Sequence, residues 1–130
     1  MSIRKMIASH PSSGGHINEP LAEAAKHAMY CAVIATACAD ACSAEDMDMR
    51  QCIRVCMDTA DACTATSRMA VRRTGNNDAA LRSMLRACID ICTWCAEECE
   101  KHDHDHCKRC AQMCRECVQD CRRALSTLGN

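Results

Sequence analysis

The chemistry in this chain lies in its thiols. Fifteen of its 130 residues are cysteine, and their spacing is symmetric. Cys31, Cys38 and Cys42 mirror Cys52, Cys56 and Cys63 about Met47, in steps of seven, four, ten, four and seven residues. Cys88, Cys92, Cys95 and Cys99 face Cys107, Cys110, Cys114 and Cys117 in a near-mirror about Asp103, with Cys121 one turn beyond. At 100° per residue each run keeps within about 40° to 80° of a helical wheel. An apolar helix face is normally about 100° wide and turned to the core. Each run is therefore a cysteine stripe where a core face belongs. The mirror spacing predicts that the two arms of a helical hairpin bring their sulfurs to matching heights.

Soft thiolates select Cu(I), Zn(II) or iron–sulfur clusters. Charge separates these. A Zn(II) ion held by four thiolates keeps a net charge of about −2, which is costly in a dry core. Fifteen cysteines would supply at most three such sites. A monovalent Cu(I) matched to roughly one thiolate leaves the core near neutral, with sulfurs bridging successive ions. Free cysteine as a small buried hydrophobe accounts for one or two such residues, not for four stripes where Leu or Val would pack better. The run Cys107-x2-Cys110-x3-Cys114-x2-Cys117-x3-Cys121 superficially resembles a ferredoxin. It has the wrong second gap and lacks the closing proline of the bacterial pattern C-x2-C-x2-C-x3-C-P. Cys92-Thr93-Trp94-Cys95 has the spacing of a redox motif without the βαβ pattern around it. No Ser-His-Asp order, carboxylate pair or phosphate loop points to an enzyme.

The elements that must position these thiols are helical, because the cysteine and apolar spacing is three and four, never two. Asn18 and Pro20 suit a helix start, and the first long helix is expected from Glu19 to Ser43. A turn over residues 43–46 leads to a second helix ending near Arg73. Gly75, Asn76 and Asn77 break the chain, with Asn77 as a cap. A third helix is expected from Asp78 to Lys101. A turn from His102 to His106 leads to a fourth helix reaching Leu128. Residues 1–18 form an arm that could hold a short helix before Pro11-Ser12-Ser13-Gly14-Gly15. Residues 19–130 form the domain, with an all-α fold: an up-down-up-down antiparallel four-helix bundle with a cysteine-lined core. Two hairpins that associate only as a dimer are the alternative.

The bundle ends differ in chemistry. One gathers Leu21, Val71, Leu81, Leu85, Leu125 and Leu128 as an apolar plug. The other carries Met47, Met49, His102, His104 and His106 beside Cys42, Cys52, Cys99 and Cys107. These histidines and methionines are candidate mouth ligands, and the bland alternative for His-Asp-His-Asp-His is a solvated turn. With no Phe, one Trp and one Tyr, cysteine, alanine and leucine must fill the core, with Met29, Met57, Met69, Met84 and Met113 as further filler. The seven-residue gaps leave Ala35 and Thr59 or Ala60 beside the stripe, a break in the sulfurs on that side.

Sixteen basic residues against seventeen acidic ones give no support for nucleic-acid binding. The apolar run from Ala28 to Ala39 is too short to span a membrane. Cysteine this abundant usually marks a secreted disulfide scaffold. Here the count is odd, and cysteines three or four apart on one helix are poorly placed for unstrained disulfides. The basic start Met1-Ser2-Ile3-Arg4-Lys5 leads into no continuous apolar stretch. A reducing cytoplasm with free thiols is the expectation.

The four striped helices, with their C-x3-C and C-x2-C-x3-C runs, resemble the bacterial copper storage protein family over about residues 19 to 128. The resemblance implies a four-helix bundle whose core cysteines, Cys31 through Cys121, hold many Cu(I) ions. The absent signal peptide resembles the cytosolic branch, which implies a homotetramer. Members are often mislabelled as ferredoxins, in keeping with the run noted above. The expected role is cytosolic storage and detoxification of Cu(I) without catalysis. The alternatives are an iron–sulfur electron carrier and a zinc or general heavy-metal buffer. Colour separates the first alternative: a cluster protein is brown as purified, whereas this chain is predicted to be colourless whether empty or loaded with Cu(I).

Overall fold

The structure, a computed structural model, describes residues 2–72 and 76–129. Five helices carry the chain among the described residues: α1 (Ile3–Ala8), α2 (Glu19–Ser43), α3 (Arg50–Ala70), α4 (Asp78–Cys99) and α5 (Asp105–Ser126). The four long ones close a ring in chain order. α2 packs on α3, α3 on α4, α4 on α5 and α5 back on α2, while the diagonal pairs keep their backbones apart and meet only through core side chains. Short connections make neighbours antiparallel, giving the expected up-down-up-down bundle. None of these helices is long and apolar enough to cross a membrane.

Local chemistry sets the helix ends. The Asn18 side chain accepts from the Leu21 N–H at 3.0 Å, satisfying one orphan donor of the first turn. Pro20 follows in that turn, where a missing N–H costs nothing. Asn18 also donates to Thr127 Oγ1 at 2.8 Å, tying the start of α2 to the end of α5. The second long helix starts later than expected, at Arg50. Asp48 accepts from the Arg50 N–H at 3.1 Å and pairs with its guanidinium, holding a turn across residues expected to be helical. α4 stops at Cys99, two residues short of Lys101. α5 opens at Asp105, so His106 lies in the first helical turn and not in the loop. Asn77 precedes α4 but makes no cap bond; its amide donates to the Arg72 carbonyl at 2.6 Å instead. The expected helix end at Arg73, the break at Gly75 and the chain end at Asn130 lie outside the described residues.

The core follows from the stripes. α2 buries Ala22, Ala24, Ala25, Ala28, Ala32, Ala35 and Ala39 among its cysteines, and such small side chains let the helices approach closely. Leu21, Leu81 and Leu85 are fully buried at the plug end, joined by Leu128, with Val71 and Leu125 packed at its margin. α1 lies against α2, burying Ile7 and pairing Arg4 with Glu19 at 2.8 Å. The methionines serve as the expected filler only in part. Met113 and Met49 are buried, Met69 and Met84 are half-buried, and Met29 and Met57 are exposed. The cysteine stripes already occupy the inward positions on α2 and α3, leaving these two to the outer surface.

Because the plug and the helix faces are complete without metal, the reduced, metal-free protein is expected to give a strongly helical circular dichroism spectrum. Leu85→Ala should cost about 2–5 kcal/mol in a denaturant titration. A random-coil spectrum for the metal-free protein would contradict a prebuilt core.

Candidate metal centre

Each sulfur is aimed inward by helix periodicity. Cysteines three and four apart share a helix face, and the four faces converge on the bundle axis. All fifteen cysteines are free and at most 2 % exposed. Same-helix neighbours lie close: Cys88 and Cys92 at 3.8 Å, Cys95 and Cys99 at 4.0 Å, Cys117 and Cys121 at 4.0 Å between sulfurs.

Across helices the sulfurs form overlapping groups. Nearest the plug are Cys88, Cys117 and Cys121, then Cys31, Cys63, Cys92 and Cys117. Cys95, Cys110 and Cys114 follow, then Cys38, Cys56, Cys99 and Cys110, and finally Cys38, Cys42, Cys107 and His106. Donor atoms within each group lie within 4.8 Å of one another. Cys117, Cys110 and Cys38 each belong to two groups. Cys114 reaches Cys31 at 3.7 Å, and Cys52 joins through Cys99 at 3.9 Å. The fifteen sulfurs thus form one connected column. Ala35, Thr59 and Ala60 are buried beside it, and the Thr59 hydroxyl is turned back to the Val55 carbonyl at 2.8 Å. The gap they leave is bridged from the other hairpin by Cys56 to Cys95 at 4.0 Å.

The mirror spacing translates differently in the two hairpins. On α2 and α3 the mirrored partners Cys31 with Cys63, and Cys38 with Cys56, do share groups. On α4 and α5 the expected level pairing gives way to a stagger. Cys117 meets its mirror partner Cys88 in one group and Cys92 in another, and Cys110 does the same with Cys95 and Cys99. The alternating three- and four-residue steps set Cys110 and Cys117 each between two α4 sulfurs, so flat layers become an interleaved column.

This spacing suits metal bridging. Three thiolates about 2.3 Å from one ion, a typical thiolate–metal distance, stand roughly 4.0 Å apart. The inter-sulfur distances quoted above span 3.7–4.0 Å. Burial pushes the Cys42 thiol up and the Cys107 thiol up to about 12. Hydrogen bonding from Cys110, and then from Cys52 and Cys56, pulls Cys38 down. Burial disfavours the thiolate along the column, and a metal ion binding a protonated thiol must displace its proton.

At the turn end, His106 meets the thiols. Its Nδ1 lies 3.3 Å from Cys38 Sγ and 3.6 Å from Cys107 Sγ, and its Nε2 is 2.9 Å from Glu45 Oε2. Burial works to lower its pKa, but the bonds to Cys38 and Glu45 leave it raised. His104 Nδ1 approaches the same Glu45 oxygen at 3.1 Å, while its Nε2 is buried with no hydrogen-bond partner. His102 Nε2 lies 3.3 Å from Glu98 Oε2. The three rings are stacked, with centroids 6.3 Å and then 5.4 Å apart. Met49 is buried and Met47 is 55 % exposed. Sequence reasoning missed Glu45 and Glu98. Glu98 sits four residues before His102, a readable helical spacing, whereas Glu45 reaches His104 and His106 from the other hairpin and leaves no local trace.

Comparison with known proteins places this geometry. The family described as Csp, copper storage protein, matches residues 17–126. The chain superposes on the copper storage protein Ccsp from Streptomyces lividans loaded with 10 copper equivalents with a TM-score of 0.91, at 38 % identity, covering 96 % of this chain and 98 % of that one. A structure of the cytosolic copper storage protein from Streptomyces lividans with five coppers gives a TM-score of 0.81 at 42 % identity, covering 83 % and 93 %. The uncharacterized cysteine-rich protein YhjQ of Bacillus subtilis is 39 % identical over 61 residues, 47 % of this chain. That match spans about half of the relative's length, 53 %.

The burial of the thiols has a direct readout. A colorimetric thiol reagent should react slowly with the reduced, metal-free native protein and rapidly reach fifteen thiols per chain in denaturant. Fast reaction of the full set without denaturant would show that the column is open to water.

Proposed function

The chain belongs to the copper storage protein family, and on that premise we propose that it is a cytosolic, non-enzymatic store that also detoxifies Cu(I) by holding many ions on its core thiolates. One observation carries the reading: fifteen buried sulfurs in a single column whose groups share members. Shared donors suit ions bridged by thiolates better than a set of independent sites. The charge balance favours a monovalent ion, since about one thiolate per Cu(I) leaves the dry core near neutral. The Streptomyces relative was loaded with 10 copper equivalents, which supports a load of many ions here. Each of the fifteen cysteines, from Cys31 to Cys121, is a proposed ligand, and a homotetramer is the proposed assembly.

The turn end is the proposed way in. His106 with Cys38, Cys42 and Cys107 forms the outermost donor group, and the leucine plug offers no donor at the other end. His102 and His104 stack behind His106 as further nitrogen donors, with Met49 and Met47 as soft thioethers. Ala substitution of all five should slow loading and chelator-driven removal with capacity nearly unchanged, His106→Ala accounting for most of the effect. Stopped-flow rates equal to the parent protein would leave these side chains as a solvated turn.

A second reading has a specific basis. Cys31, Cys63, Cys92 and Cys117 on one hand, and Cys38, Cys56, Cys99 and Cys110 on the other, are two four-thiol groups with no member in common, the donor set of a structural zinc site. Anaerobic titration against a competing chelator separates the two. Storage predicts roughly one Cu(I) per cysteine and about one proton released per ion, with affinity falling as pH falls because protons compete for the same sulfurs. Saturation at two to four ions per chain would overturn storage.

A further inference from the structure

A groove runs along the outside of the bundle between α2 and α5, with a cavity of about 560 Å³. Of the fifteen thiols, Cys38 is the one at its wall, next to His106. Ala37 and Ala41 flank Cys38 on α2, and their small side chains keep the groove deep. Its volume is that of a small-molecule site. We propose that this groove docks Cu(I) carried by a peptide-length, charged thiol, which hands its ion to Cys38 from the side of the bundle. The inference rests on copper being the cargo, and it names the form in which the cargo arrives.

The α5 rim gives the ligand chemistry. Arg109, Gln112 and Glu116 line the groove in that order. Arg109 and Glu116 are seven residues apart on one helix, about 10.5 Å along its axis. A three-residue peptide extends about 10 Å. A thiol of that length, with a carboxylate at one end and an ammonium at the other, matches a cation at one end of the rim and an anion at the other. Gln112 lies between them; its Nε2 donates to Glu116 Oε1 at 3.5 Å, and its carbonyl oxygen can accept from a peptide N–H. Asp105 fixes the Arg109 guanidinium at 2.8 Å. Ile34 and Met113 supply apolar wall against the carrier's methylenes.

The transfer is a ligand exchange without redox change. The bond from copper to the carrier sulfur breaks, the bond from copper to Cys38 Sγ forms, and the Cys38 proton goes to the departing carrier thiolate. Copper stays Cu(I). Cys38 is well placed to receive it because it belongs to two donor groups, one with Cys42, Cys107 and His106, the other with Cys56, Cys99 and Cys110. An ion arriving there can move to the turn end or into the column.

Stopped-flow loading from the Cu(I)–glutathione complex tests this, with Cu(I) in acetonitrile as a donor lacking both charges and peptide. Ala37→Trp fills the groove from an exposed helical position, and Arg109→Glu reverses the rim charge. Ala37→Trp should slow loading from Cu(I)–glutathione by about tenfold or more, and Arg109→Glu should raise the half-saturating carrier concentration by about tenfold. Both should load from acetonitrile at the parent rate and reach the parent capacity. Parent rates from glutathione in both variants would overturn the inference. So would an equal slowing from both donors with a changed sedimentation coefficient, which would make the groove an interface between copies of this chain. A parent protein that saturates at a few ions would instead remove the storage reading itself.

Discussion

A dry core made of thiols tolerates only two electrical states. With every sulfur protonated it is a neutral packing of small, weakly polar side chains. With the protons replaced by about as many monovalent ions it is neutral again. Any state between, with several bare thiolates far from water, carries a desolvation cost of several kcal/mol per ion. This constraint explains why the column is continuous. If each ion must share sulfurs with its neighbours to keep charge low, donors have to be in contact from one end to the other. The shared positions Cys38, Cys110 and Cys117 are where that contact passes between groups.

The same constraint divides the surface from the core. α5 turns Cys107, Cys110, Cys114, Cys117 and Cys121 inward and leaves Lys108, Arg109, Arg115 and Glu116 exposed. The two buried carboxylates of the described chain are both partnered. Asp120 is held by His27 and by Arg123 at 3.0 Å, and Glu98 by Lys101 and His102. Neither is left as an unpaired charge beside the thiols. At the turn end, Glu45 binds two imidazoles at once and fixes the ring of His106 so that its Nδ1 faces Cys38. A carboxylate behind a ligating imidazole is a recurrent way to orient the ring and raise its basicity.

How much of this was legible depended on whether the signal was local. Glu19 to Ser43 reads directly as a helix because Asn18 and Pro20 mark its start. The inward stripes read directly because helical periodicity needs only one segment. The plug was legible from the leucines alone. Three features were not. The delayed start at Arg50 depends on an Asp48 turn that competes with a helix by less than propensity can resolve. The stagger of α4 against α5 depends on how two faces interlock, which mirror spacing cannot fix. The pairing of His106 with Glu45 and Cys38 brings together residues 61 and 68 positions apart, and only the closed ring of helices places α2 beside α5.

The ring also explains how a metal store can be built before its metal arrives. A zinc finger uses the ion to fold, so removing it unfolds the chain. In the proposed reading the leucine plug, the alanine contacts and the packed thiols close the bundle first, and the ions bind the folded chain. Each ion bound only by the folded form adds to stability by mass action, so filling stiffens a scaffold that already stands. The opposite ends then divide the work: leucines too large and too apolar to ligate seal one end, and the other, where small alanines, a fixed imidazole and Cys38 lie together, is where sulfur comes nearest to water.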